Sequence, residues 1–263
     1  MEQLERDPDG AAISEATADR IQIVEDQLER IVEESAGRAL DRPRPASRDT
    51  LDREEREIKE NVLRLGSLVA DQILDAITAL RNHDVDAATA VIHGDSVINE
   101  VQRTVTGLIV RTIATQQPVA RDLRLLLALD HVAYELERIG DHAASVAKQA
   151  RKLAPFPPLK EYVDMPRMGE LCAKLVREVL LALVDINEVQ AREVAVQDDL
   201  VDEHYHRIFD EVLGLMRADP DNVDRGARIL FAAHYLERIG DRVTNIAEDV
   251  VFLATGDVED LNP

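Results

Sequence analysis

Pairs of acidic side chains one helical turn apart recur through this chain in a pattern that could hold a metal ion. Glu137 and Asp141 stand at i and i+4, as do Glu237 and Asp241. On a helix, both members of such a pair project from one face. Asp95 with Asn99, and Asp198 with Asp202, repeat the spacing on the stretch before each. If those stretches are antiparallel neighbours, the pairs face one another and gather oxygen donors in each half of the chain. Hard cations take such donors: Mn²⁺, Fe, Mg²⁺ or Ca²⁺, with water or bridging oxygens completing the shell. One acid pair on a solvated face is ordinary in a chain this rich in Asp and Glu. Its recurrence at corresponding places in two copies favours ligation, because uncompensated carboxylates one turn apart repel. Gly140 and Gly240 lie between the acids, where glycine costs about 1 kcal/mol against alanine. Close approach of a neighbouring helix or a metal would explain them. Arg138 and Arg238 lie about 100° further round; they either neutralise the acids or offer charge to a partner.

Other chemistry is scarce. A single Glu-x-x-His, Glu203 to His206, has no twin in the first half, whereas carboxylate-bridged diiron bundles use a pair. There is no His-Glu-x-x-His and no Gly-x-x-x-x-Gly-Lys loop. The seven histidines are scattered; only His142, beside Asp141, adjoins the acids. Cys172 is the lone cysteine, which excludes an intramolecular disulfide and reads as a small buried hydrophobe. No nucleophile with its base can be picked out, so no catalytic residue is assigned and the chain reads as a non-enzyme.

The elements that must position these acids are helices. Glu-Arg-Ile-Gly-Asp occupies 137–141 and again 237–241, and Asp95…Asn99 matches Asp198…Asp202 at an offset of 103. Duplication of a three-helix unit is the simplest account. In the first copy the helices run from about Leu51 to Arg81, Val85 to Ala114, and from Pro118, in the first turn, to Leu153. Ala154-Pro155-Phe156-Pro157-Pro158 begins a linker. In the second copy they run from Pro166 to Asn187, Glu188 to Met216 and Val223 to Thr255, with a turn at Asp219–Asn222. Upstream, Ile21, Val24, Leu28, Ile31 and Val32 form an apolar stripe at helical spacing. That stripe either needs a partner surface or belongs to a frayed helix. The expected organisation is an N-terminal amphipathic appendage (1–50), a first three-helix repeat (51–153), a linker (154–165), a second repeat (166–256) and a tail (257–263).

Composition agrees. The 263 residues carry 52 acids against 31 Lys and Arg, a net charge of −21, with 45% hydrophobic and 3% aromatic residues. This is an all-α composition, long enough for a proper core. Such a charge repels a phosphate backbone or an anionic membrane unless a basic patch is segregated. Neither a signal peptide nor an apolar run of membrane-spanning length is present, so a cytoplasmic protein is expected.

The run Gln116-Gln117-Pro118-Val119-Ala120-Arg121-Asp122-Leu123-Arg124, followed by Leu136-Glu137-Arg138-Ile139-Gly140-Asp141, resembles the first repeat of the PhoU family of phosphate-signalling regulators. Leu236 to Asp241 and Asn245-Ile246-Ala247-Glu248 resemble its second repeat, and the similarity spans about residues 51–256. The resemblance implies two tandem pseudo-symmetric three-helix bundles, commonly paired as homodimers. It implies negative regulation of the phosphate-starvation response, through contact with the ATPase subunit of the phosphate ABC transporter and with a sensor histidine kinase. An accessory role beside another phosphate or anion permease, or a metal-binding bundle with an enzymatic or storage role, are the rival readings. Some members carry multinuclear iron or manganese clusters on acid-x-x-x-Asp motifs. By position those ligands are Asp95, Asn99, Glu137 and Asp141, then Asp198, Asp202, Glu237 and Asp241. The first set departs from the pattern at Asn99, at Gln102 where an acid is expected, and at Ser145 against Asn245. The second set is therefore the more complete.

Overall fold

Seven α-helices and one short 3₁₀ turn make up the described residues, 48–161 and 163–261, of the computed structural model. They are α1 (Arg48–Asn82), α2 (Val85–Gln116), α3 (Arg121–Leu153), α4 (Asp164–Asp185), α5 (Glu188–Val196), α6 (Asp198–Ala218), the 3₁₀ turn Pro220–Asn222, and α7 (Val223–Thr255). No strand occurs among the described residues. The apolar stripe from Ile21 to Val32, and the helix expected there, lie outside them.

The duplication is visible in how the helices begin and end. Asp84 opens α2 by accepting a hydrogen bond from Ala87 N at 2.9 Å, and Asn187, 103 residues on, opens α5 by accepting from Gln190 N at 3.2 Å. Each satisfies a backbone donor that the first turn leaves without a partner. The residues before them, His83 and Ile186, both take left-handed backbone (φ 55° and 49°) to end α1 and α4.

Two expectations are corrected. Pro118 does not lie in the first turn of α3. Gln117 closes α2 in left-handed backbone, its N–H donating to Ile113 O at 3.1 Å, and the chain turns again at Ala120 before α3 starts at Arg121. Second, the helix expected to run unbroken from Glu188 to Met216 is interrupted at Gln197. There the bonds tighten to i→i−3, Gln197 N to Val194 O (3.0 Å) and Leu200 N to Gln197 O (3.1 Å). No proline or glycine marks the break, across which Lys174 Nζ of α4 donates to Gln197 Oε1 at 2.9 Å.

Helices α1, α2 and α3 form one three-helix bundle; α4, the broken α5–α6 and α7 form the other, and the two share one compact unit. They join through α1 against α4 and α3 against α7. In the first pair, a Cβ at Gly66 would collide with Leu180, and one at Gly169 with Ile77. These are the same contact made twice, since 66 and 77 become 169 and 180 at the repeat offset. Both α3 and α7 also bury many alanines (Ala143, Ala144, Ala147 and Ala150 on α3; Ala232, Ala233 and Ala247 on α7).

Candidate functional site

The acids of the second repeat come together between α6 and α7. The break at Gln197 makes Asp198 the first residue of α6, and its side chain is 3% exposed. Asp198 Oδ1 occupies the space a Cβ at residue 240 would need. Gly240 is thus fixed by the approach of the neighbouring helix, the first of the two explanations its sequence position allowed. Burial pushes the Asp198 carboxyl up to about 7, with Asp202, Asp241 and Glu237 adding repulsion in that order. Asp202 and Glu237 are raised as well, each first by burial and then by Asp241.

The first repeat builds the same arrangement with different neighbours. Asp95 and Asn99 on α2 face Glu137 and Asp141 on α3. Burial, then Asp141, raises Asp95, while Gln72 from α1 hydrogen-bonds it and lowers it. Glu137 is raised by burial and then by Asp141. The position above Gly140, however, is filled by Ile98 and Gln72 Oε1, at 3.1 and 3.2 Å from a built Cβ. Gln72 is buried. Its equivalent in the second repeat is Leu175, so only the first site has a polar floor. Gln102 donates to Thr106 Oγ1 at 3.2 Å, and Thr106 in turn donates to Asp130 Oδ1 at 2.7 Å.

Both arginines of the repeated word turn toward the acids. Arg138 Nη1 lies 3.2 Å from Asp141 Oδ2 and its Nε 3.4 Å from Glu137 Oε2. Arg238 Nη1 lies 3.1 Å from Asp241 Oδ2. Arg138 also covers the ring of Tyr134, 5.0 Å from its centroid. Glu237 Oε2 is met by His234 Nδ1 at 3.1 Å.

The donor set fits a hard cation in kind, being oxygen throughout. Asp95 Oδ1 and Asn99 Oδ1 are buried oxygens without a hydrogen-bond partner of their own, while Gln72 and Asn99 still favour the Asp95 carboxylate. In spacing it is looser: among the described residues, no three His, Cys, Asp or Glu side chains converge on one ion position.

A second polar cluster escaped the sequence reading. Helices α3 and α7 run antiparallel, and at one end of their seam Glu135, 2% exposed, accepts from Arg242 Nη1 (3.3 and 3.4 Å) and Asn245 Nδ2 (3.1 Å). His131 lies 3.6 Å from the same carboxylate and 2.7 Å from Asp249 Oδ2. The hydrogen bond to Asp249 raises the His131 imidazole above its ordinary range. At the other end the equivalent residues are Tyr235, His142, Ser145, Phe231 and Gln149. There His142 stacks on Tyr235 with centroids 6.0 Å apart, and burial, aided by Arg242 and Arg238, holds it down near 4. The signal was present in the sequence, as the positions where the two copies differ rather than agree. Cys172 is wholly buried, its Sγ donating to Leu236 O at 3.4 Å, and burial pushes the thiol far above its ordinary range.

With the geometry in place, comparison with known proteins is decisive. The family model of the PhoU domain matches twice, over residues 62–150 and 165–250. The chain belongs to the PhoU family. The phosphate-specific transport system accessory protein PhoU homolog of Clostridium acetobutylicum is 38% identical over 207 residues, covering 78% of this chain and 94% of that protein. The PhoU homolog of Pseudomonas aeruginosa is 36% identical over 201 residues, 76% of this chain and 83% of the relative. The crystal structure of PhoU from Pseudomonas aeruginosa superposes with a TM-score of 0.75 at 35% identity, covering 78% of this chain and 99% of that one. The phosphate transport system regulatory protein PhoU from Streptococcus pneumoniae gives 0.75 at 30% identity, with 80% and 99% covered. The expected architecture, tandem pseudo-symmetric PhoU repeats in an all-α chain, is the one observed.

Proposed function

We propose that this chain is a non-enzymatic regulator of phosphate uptake and of the phosphate-starvation response. In this reading it is a cytoplasmic homodimer that acts as an adaptor between the ATPase subunit of a phosphate ABC transporter and a sensor histidine kinase. The observation that carries the reading is the double PhoU match together with relatives of nearly the same span that are named as accessory proteins of phosphate-specific transport. No helix among the described residues is long and apolar enough to cross a membrane, which suits a protein that meets the transporter through its ATPase. Affinity purification from phosphate-replete cells tests the partners: the ATPase subunit and a kinase should co-purify. Recovery of a single-component permease in their place would transfer the role to that permease. A deletion strain with normal phosphate uptake and normal starvation-gene expression would remove the regulatory role altogether.

The acid pairs are proposed to hold iron, manganese or magnesium. Asp198, Asp202, Glu237 and Asp241 would supply the fuller set, and Asp95, Asn99, Glu137 and Asp141 the poorer one. A bound cation would relieve carboxylate repulsion that the chain otherwise meets with Arg138 and Arg238. Those two arginines would then be released toward solvent, where each is already about two-fifths exposed, to meet a partner.

A further inference from the structure

Each repeat has a surface groove between its first helix and the stretch that follows, and the two grooves overlap in part through the repeat. The first, about 520 Å³, lies between α1 and α2; the second, about 460 Å³, lies between α4 and α6. Their floors correspond through the offset of 103: Leu68 and Val97 in one, Leu171 and Leu200 in the other. Their walls do not. Asp71 of the first groove, whose lining includes Asp75 and no cation, becomes Lys174 in the second; Arg207 lines the second, and its equivalent, Thr104, lies beyond the first. With Arg167 added, three cations stand over an apolar floor, against Glu170 and Glu203.

The two arginines among these cations have no carboxylate partner among the described residues. Among the described residues Arg167 makes no ion pair, and Arg207 donates to His204 Nδ1 at 2.9 Å rather than to a carboxylate. Lys174 bonds Gln197 and lies 3.6 Å from Glu178. Arg167 and Arg207 are accessible arginines without an acid in a chain of net charge −21. Leu200 adds a floor that is 45% exposed. From Arg167 to Lys174 the groove follows α4 for about two helical turns, or roughly 10 Å. That length suits the i, i+3/4, i+7 anchors of a docked helix.

We propose that the α4–α6 groove is a docking site for an acidic amphipathic helix of a partner protein, its apolar residues seated on Leu171 and Leu200 and its carboxylates on Arg167, Lys174 and Arg207. An inorganic anion would leave the apolar floor unused, and a basic helix would be repelled. The inference rests on the adaptor reading only for the existence of a protein partner.

The test uses the full chain and two fluorescent helical peptides of about 14 residues. Both carry leucines at i, i+3, i+4 and i+7, one with glutamate and the other with lysine on the polar face. The glutamate peptide should bind despite the protein's negative charge, more weakly as salt rises. Importing the first-repeat residues (Lys174→Asp with Arg207→Thr) should weaken it at least about tenfold, with helicity by circular dichroism unchanged, and Leu200→Asp should do the same. The reciprocal pair Asp71→Lys with Thr104→Arg should create a second glutamate-peptide site, and it keeps the test intact if the first pair unfolds. The proposal is overturned if the glutamate peptide fails to bind at about 1 mM or binds the swapped variant equally. Binding of anionic lipid vesicles, lost in the swapped variant while the glutamate peptide stays unbound, would also overturn it. Co-purification of transporter and kinase alongside a null peptide result removes the groove and leaves the adaptor reading standing.

Discussion

Asp198 is the residue on which the second site turns. Its carboxyl, lifted to about 7 by burial and by Asp202, Asp241 and Glu237, holds its proton more tightly in the folded chain than in the unfolded one. The stability linked to it is therefore intact below about pH 4, declines as the pH rises toward 7, and is gone above that. In metal-free protein, Asp198→Asn should raise stability at pH 8 by something on the order of 3 kcal/mol. It should bring little gain at pH 4, as urea melts at the two pH values will show. Added Mn²⁺ should reverse the ranking at pH 8, stabilising the parent chain and not the variant; no response from either removes the metal proposal. By the same logic Asp241→Ala should lower bound metal, measured by elemental analysis, more than Asn99→Ala, and equal losses would show the two sets to be equivalent. The repeated Glu-Arg-Ile-Gly-Asp word made these acids legible in the sequence, and glycine at 240 pointed to a close approach. Gln72 and Ile98 over Gly140 were illegible, because nothing in a single helix's pattern says which neighbour's side chain will cover it.

Among the elements, the starts and stops were readable where a side chain caps or a proline forbids. α7 begins and ends where its apolar period and Gly256 place it, whereas the break at Gln197 has no proline or glycine to signal it. The turn into α3 is the weak point. Ala120 is exposed with φ 48° and ψ −110°, a region that strains any residue with a Cβ. Ala120→Gly should relieve more strain than it costs in added unfolded-chain freedom, a net gain of about 1 kcal/mol. For a unit of this size that is a rise of roughly 2–4 °C in Tm. The glycines of the α1–α4 crossing should answer the other way. A methyl at Gly66 meets Leu180 and one at Gly169 meets Ile77, so alanine at either should destabilise by about 1–3 kcal/mol. Gly94→Ala and Gly214→Ala enter open space on helix surfaces and should stabilise by roughly 0.5–1 kcal/mol.

At the scale of the molecule, duplication has been followed by divergence along the seam where the copies meet. α3 packs on α7 as extensively as on α1 or α2 of its own bundle, so the two bundles should melt as one. Equal calorimetric and van't Hoff enthalpies would show this. One end of the seam is charged and the other aromatic, although both descend from the same positions. At the charged end Glu135 is almost wholly buried while Arg242 keeps about a quarter of its side chain exposed. Such a pair adds little net stability over an apolar replacement, but breaking it leaves a buried charge without its partner. Glu135→Ala should therefore destabilise by about 2–3 kcal/mol, since Arg242 and Asn245 both lose their acceptor. Arg242→Ala should cost less, because Asn245 and His131 still reach the carboxylate. The double variant should fall short of the sum by about 1 kcal/mol or more, the signature of residues in one network. Strict additivity in that cycle would mean that Glu135 and Arg242 do not act as one network, leaving apolar packing at the α1–α4 and α3–α7 contacts to hold the bundles together.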